Sequence, residues 1–199
     1  WTGSQASRRG TSGPVTVSPA KSKDALYDAW FSAAKSCGHN VINDYNAVSK
    51  NARLEGFARS QQTIGNGFRV TAFSAYLAPH LKRRNLHILT GAHVARVKFK
   101  DNLATGLDLV NGSNQRQSIL IDGSLILSAG AFHTPHILMQ SGIGPEAVLK
   151  RANIPLLEKA EGVGRNYRDH VAVQINFRRK GKGEFHHSMR AEQIGFNFP

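Results

Sequence analysis

The residues able to do chemistry in this 199-residue chain are its histidines, a single cysteine and several paired glycines. Of the nine histidines, His133 and His136 form the string "HTPH". A zinc pair on a helix needs two ligands one turn apart with a working carboxylate nearby. Here Pro135 intervenes and no such carboxylate follows, so no metal site is read. His170, in "RDH", carries an imidazole that can accept a proton near neutral pH, and Asp169 beside it can orient the ring or cap a turn. Both are read as structural. His186 and His187 sit in a polar, basic stretch and read as exposed. Cys37 stands alone, which rules out an internal disulfide and a cysteine metal cluster and leaves a buried or idle thiol. No G-x-S-x-G string exists to build a serine nucleophile. Gly142, Gly144, Gly162 and Gly164, in "GIGP" and "GVGRN", have the small size that a phosphate cradle needs, but read better as turn glycines.

These residues must be positioned by elements, and one stretch is unusually particular: "SAGAFHTPHILMQSGIGP", residues 128–145. It follows the apolar "SLIL" and ends that strand-like run in Ser128, Ala129 and Gly130. Thr134 suits a helix cap, Pro135 the first helical position and Gly142 the stop. In open α/β sheets, ligands lie beyond the carboxyl ends of strands, where small residues let a cofactor approach the backbone. A tightly packed turn with no ligand would use the same residues, and the sequence alone leaves both readings open.

Elsewhere the first nineteen residues are rich in Gly, Ser, Thr and Arg and read as loop, apart from the alternating "GPVTVS" of residues 13–18. Between Ser22 and Ser36, the residues Leu26, Ala29, Trp30, Ala33 and Ala34 recur at helical spacing, with Cys37-Gly38 as the stop. A polar loop follows, then Gly-containing turns and a helix ending near Pro79. Residues 86–89, 94–99, 104–110, 118–121 and 125–127 are strand candidates, and Asn111-Gly112 marks a hairpin.

The formal net charge of +13 is compatible with a polyanion partner. The basic residues are scattered, however, apart from small clusters at Lys82-Arg83-Arg84 and Arg178-Arg179-Lys180, and no aromatic residues interleave with them. They read as solvated surface, with no specific nucleic-acid partner. No apolar run approaches the ~20 residues of a membrane span, and the amino end lacks the apolar core of a signal peptide. Location in the cell is not legible from these features.

The string "SAGAFHTPHILMQSGIGPEAVLKRANIPLLEKAEGVGRNYRDH" resembles the second signature region of the glucose-methanol-choline (GMC) oxidoreductases, a family of FAD-dependent alcohol-oxidising enzymes. Upstream, "GTSGPVTVS", "QQTIGNGFRVTAFSAYLAP" and "RRNLHILTGAHVARVKF" are similar to the same family, in the same order. The likeness runs from about Gly13 to Phe177. Three departures mark a divergent member: Ala47 where Gly usually follows "DYN", Thr71 where Ser is common, and Tyr167-Arg168 inside the usual "NLQDH".

The resemblance implies a mixed α/β fold, part of an FAD-binding Rossmann-like domain interleaved with part of a substrate-binding domain. On that pattern residues 1–80 lie mainly on the substrate side, 81–145 are mainly FAD-domain strands with the "SAGA" turn, and 146–199 return toward the substrate domain. It implies FAD as cofactor, with the Val94 backbone meeting the adenine and with Ala129 and Gly130 as close neighbours. The family's G-x-G-x-x-G fingerprint is absent, and its catalytic histidine is expected beyond Pro199, so no catalytic residue is assigned within the chain. The expectation is an internal piece of an enzyme that oxidises the CH-OH group of an alcohol, sugar or choline-like donor by hydride transfer to flavin, with the electron acceptor unassigned. The alternative is a non-catalytic scaffold remnant or a basic module that binds polyanions.

Overall fold

The computed structural model describes residues 1–2, 9–20, 25–46, 55–171 and 173, together with the backbone of 194–197. The chain divides into two compact units, Trp1–Leu86 with Arg178–Pro199 and, separately, His87–Phe177.

The first unit is built from short pieces. Strand β1 (Ser18–Pro19) precedes helix α1 (Ala25–Ser36). The helix stops as its sequence asks: Gly38 takes φ +81, its N–H donates to the Lys35 carbonyl, and the His39 N–H donates to that of Ala34. This is the glycine-dependent cap in which two orphan carbonyls find donors. The buried residues of α1 are Tyr27 and Ala34, whereas Leu26, which headed the expected apolar stripe, is 45% exposed. The Arg59 guanidinium lies 4.4 Å from the centre of the Tyr27 ring, so the inward face of α1 pairs an aromatic with a cation.

Strands β2 (Gly56–Arg59), β3 (Gln61–Gln62), β4 (Ile64–Gly65) and β5 (Phe68–Arg69) follow. β1 pairs antiparallel with β3, and β4 pairs with β5 across Asn66-Gly67. Both turn residues have positive φ, 51° and 81°, the two-residue hairpin geometry for which Asn-Gly is suited. Thr71 and Ser74 then cap each other: the Ser74 N–H donates to Thr71 Oγ1 and the Thr71 N–H to Ser74 Oγ. They open a π-helical turn, Phe73–Leu77, and a 3-10 turn, Ala78–His80, where the sequence predicts a helix ending near Pro79.

The second unit begins with an antiparallel meander: β6 (Ala92–Lys100), β7 (Leu103–Asn111) and β8 (Arg116–Leu120), in that spatial order. Asp101 and Asn102, at φ 50° and 64°, make the first hairpin turn. In the second, Asn111 Oδ1 accepts the N–H groups of Ser113 and Gln115. The expected hairpin at Asn111-Gly112 is therefore present, with a longer loop. Helix α2 (Gly130–Gln140) packs on β6. Strand β9 (Ile143–Gly144), helix α3 (Glu146–Arg151) and strand β10 (Glu158–Lys159) complete the unit, with β9 and β10 parallel. Val97, Leu109, Ile137 and Leu149 are its buried apolar residues. In the first unit, the backbone of β11 (Ile194–Asn197) pairs with β2.

Three expectations are corrected. Of "GPVTVS", Ser18 alone enters a strand, because the ladder on β3 engages no residue before it. The apolar segments 86–89 and 125–127 form no ladder among the described residues, and Leu89 and Ile126 stand 67% and 81% exposed. Apolar character marks a segment fit for a sheet, but a strand exists where a partner backbone accepts its hydrogen bonds. Thr134 and Pro135 do not open the helix. α2 starts at Gly130, Pro135 lies inside it, and Thr134 Oγ1 accepts the Ala129 N–H at 3.0 Å. The threonine thus turns back on the chain before the helix instead of holding the amides after it.

Candidate functional site

Gly130 is the first residue of α2 and has φ +85, a conformation that side chains disfavour. A β-carbon built there would meet nothing within 4 Å. Ala129, the capping residue, adds a single methyl and is exposed. The helix therefore starts from a surface with no side chain larger than methyl at 129 and 130, held in shape by the Thr134–Ala129 hydrogen bond.

Val94 is half-buried on β6, opposite Leu109 of β7, and directly precedes an irregularity that lets Ala95 bulge from the ladder. β6 is an outer strand of the meander, so among the described residues one edge of its backbone has no strand beside it. Part of that edge is used by Ser141: the Val97 N–H donates to Ser141 Oγ at 2.8 Å, and the same hydroxyl donates to the Ile137 carbonyl at 2.6 Å. Ser141 was not singled out in the sequence. A serine just past a helix end gives no local sign that it will reach a strand 44 residues away.

This bond joins β6 to the C-terminal end of α2, and Ala129 and Gly130 stand at the opposite end. Eleven helical residues span about 16 Å. The Ala129–Gly130 pair thus stands about a helix length from the bond that ties α2 to β6. Beside Val94, an open depression of about 460 Å³ is lined by Gly91, Ala92, His93, Val110, Asn111 and Gly112.

His133 and His136 are exposed on α2, and His136 meets Gln140 at 3.4 Å. No cluster of three metal-binding side chains exists among the described residues. Asp169 takes the backbone N–H of His170 at 2.7 Å and the Tyr167 hydroxyl at 3.2 Å, so it fixes a turn and leaves the imidazole out of its grip. Cys37 is exposed. Gly142, Gly144 and Gly164 are closely packed: added β-carbons would lie 2.6 Å from the Pro155 carbonyl oxygen, 2.8 Å from Met139 Cγ and 3.3 Å from Met139 Cε, respectively. Those spaces are filled by protein. His186, His187 and the Arg178-Arg179-Lys180 cluster lie outside the described residues. No helix of the described residues is long and apolar enough to cross a membrane.

Charge on the meander is locally compensated. The Asp108 carboxylate accepts from Ser118 Oγ at 2.7 Å and pairs with Arg96 at 2.7 Å. The Ser118 hydrogen bond, then Arg96, hold its carboxyl below the ordinary value. Near β10, the hydrogen bond to Glu146 raises the Lys159 ammonium above its usual range.

Comparison with known proteins identifies the family. The GMC oxidoreductase family profile matches residues 4–172. The oxygen-dependent choline dehydrogenase of Staphylococcus haemolyticus is 37% identical over 167 residues, covering 84% of this chain and 28% of that protein. The oxygen-dependent choline dehydrogenase of Brucella ovis is 36% identical over 173 residues, covering 87% and 30%. The chain thus spans less than a third of the length of these curated relatives. Among solved structures, pyridoxine 4-oxidase from Mesorbium loti is 33% identical with a TM-score of 0.65, covering 76% of this chain and 29% of that one. An FAD-dependent oxidoreductase from Chaetomium thermophilum is 29% identical with a TM-score of 0.69, covering 78% and 26%. These likenesses bear out the expected fold class, mixed α/β and part of an FAD-binding Rossmann-like domain. The chain belongs to the GMC oxidoreductase family.

Proposed function

We propose that the chain is the part of an FAD-dependent oxidoreductase that receives the cofactor along β6 and the start of α2, in a protein that oxidises the CH-OH group of a small alcohol. The observation that carries this reading is Gly130, with positive φ and open space where a side chain would stand, directly after the small residues Ser128 and Ala129. The family and its oxidoreductase relatives support it.

The residues present fit the cofactor. Ala129 and Gly130 offer backbone approach without side-chain obstruction, and Val94, on the outer strand, offers a main-chain contact for the adenine end. Bound there, FAD would supply the hydride acceptor for the carbinol carbon, the part of the chemistry that proteins leave to cofactors. The chain's own task is placement. Thr134 sets the turn before α2, and Ser141 ties the far end of the helix to β6, fixing the distance between the two contact regions. In this reading residues 1–80 lie mainly on the substrate side, 81–145 mainly on the flavin side and 146–199 return toward the substrate side, with no catalytic residue assigned within the chain. The choline dehydrogenase relatives favour a small alcohol as substrate.

The test is Gly130→Val in the purified flavoprotein. The substitution forces a branched side chain into the open space and onto a left-handed backbone. Loss of most bound flavin absorbance, with secondary structure retained by circular dichroism, is expected. Stoichiometric flavin in the variant would remove Gly130 from the site.

A further inference from the structure

The segment after β10 runs back along α2. The Ala160 N–H donates to the Gly144 carbonyl at 3.0 Å, just past the helix's C-terminal end. A β-carbon at Gly164 would lie 3.3 Å from Met139 Cε and 3.9 Å from Pro135 Cβ. The Tyr167 ring stacks on Phe132, with centroids 4.9 Å apart and planes 29° from parallel. Met139, Pro135 and Phe132 are spaced by four and three residues, so they share one face of the helix. Residues 160–167 therefore follow this face from its C-terminal end to its first turn. The segment thus reaches the first turn of α2 at Phe132, two residues after Gly130, and within the segment the Asp169 carboxylate accepts the Tyr167 hydroxyl and the His170 N–H, which shapes its turn.

Phe132 and Tyr167 are 68% and 55% exposed, so their contact adds little to a core and acts mainly on local order. Tyr167→Leu tests both contacts of this side chain at once. A leucine offers neither a ring for Phe132 nor a hydroxyl for Asp169.

The geometry points to Phe132 and Tyr167 as positioning residues: a stacked latch that holds residues 165–170 against the first turn of α2 and keeps the Gly130 surface ready for its ligand. This rests on the flavin reading of Gly130. A site shaped in advance binds more tightly, because the loop need not be ordered on binding.

The experiment is a titration of the cofactor-free protein with FAD, followed by flavin fluorescence. Its thermal midpoint and the hydrogen exchange of residues 160–170 are measured alongside. Tyr167→Leu and Phe132→Ala should each weaken FAD binding roughly three- to tenfold, the range an aromatic pair supports. The double variant should be no weaker than either single one. Exchange at 165–170 should quicken while the thermal midpoint of the cofactor-free protein stays unchanged. Tyr167→Phe, which keeps the ring, should bind closer to wild type. Wild-type FAD affinity in Tyr167→Leu and Phe132→Ala, or a weakening matched by a lowered thermal midpoint, overturns the latch while the flavin reading stands. A wild-type protein that takes up no FAD overturns the flavin reading and the latch with it.

Discussion

The two units are held together by different means. In the first, ladders are short and a polar cluster does much of the joining. Arg9 pairs with both oxygens of Asp44 at 2.6 and 2.8 Å and donates to Gln61 Oε1 at 3.1 Å. Gln61 Nε2 donates to Asp44 Oδ1, Asn46 Nδ2 donates to Gln61 Oε1, and the Tyr45 hydroxyl accepts the Gln61 N–H. Arg9 also lies over the Trp1 ring at 4.0 Å. In the second unit, nine-residue strands pair with near neighbours in sequence, and apolar side chains on α2, α3 and the meander are buried. A region rich in loops uses directional charge-assisted bonds, since it has few long ladders to satisfy its backbone. A meander closes its hydrogen bonds locally and adds burial to them.

The sharpest way to break this comparison is Asp44→Ala. The Asp44 and Arg9 side chains are 9% and 15% exposed, so the variant strands a largely buried guanidinium. A loss of about 3–5 kcal/mol is expected. Hydrogen exchange should show it as lost protection in β2 and β3, and an unchanged first unit would show the network to be incidental. Next comes Leu149→Ala. Leu149 is 1% exposed, and a cavity there should cost about 2–5 kcal/mol in urea denaturation. A change under half a kcal/mol would mean that burial is not what holds the α3 region.

Gly106→Ala sharpens the contrast within the meander. Its β-carbon would lie 2.6 Å from the Ile119 carbonyl oxygen on the neighbouring strand, and backbone cannot swing aside as a side chain can. About 1–3 kcal/mol should be lost, read from the same denaturation curves, and a neutral result would show that β8 shifts freely. The smallest effect belongs to Asp108→Asn. The Asp108 carboxyl titrates below its ordinary 3.8 when folded, so its contribution is present above that value and fades as pH falls toward the lowered one. The stability gap between wild type and variant should therefore be steady at neutral pH and narrow below about pH 4. A gap that widens on acidification would reverse the assigned direction.

Much of this molecule was readable without coordinates. Alternating residues and turn-forming pairs specify β6, β7 and β8, because an antiparallel meander needs contacts close in sequence. α1 ends at Gly38 for an equally local reason, and the ordered motifs identified the family. What the tertiary structure decided depends on distant partners. Residues 86–89 and 125–127 carry the composition of strands, yet pairing requires another backbone, which composition does not encode. Thr134 and Pro135 look like a helix start, but their roles were set by the Ala129 N–H and by the helix continuing on both sides of the proline. Arg9 meets Asp44 across 35 residues, and Phe132 meets Tyr167 across the same interval. Local periodicity reports which face of an element is apolar. Which remote side chain comes to that face is settled when the elements pack, since the free energy of the contact arises only there.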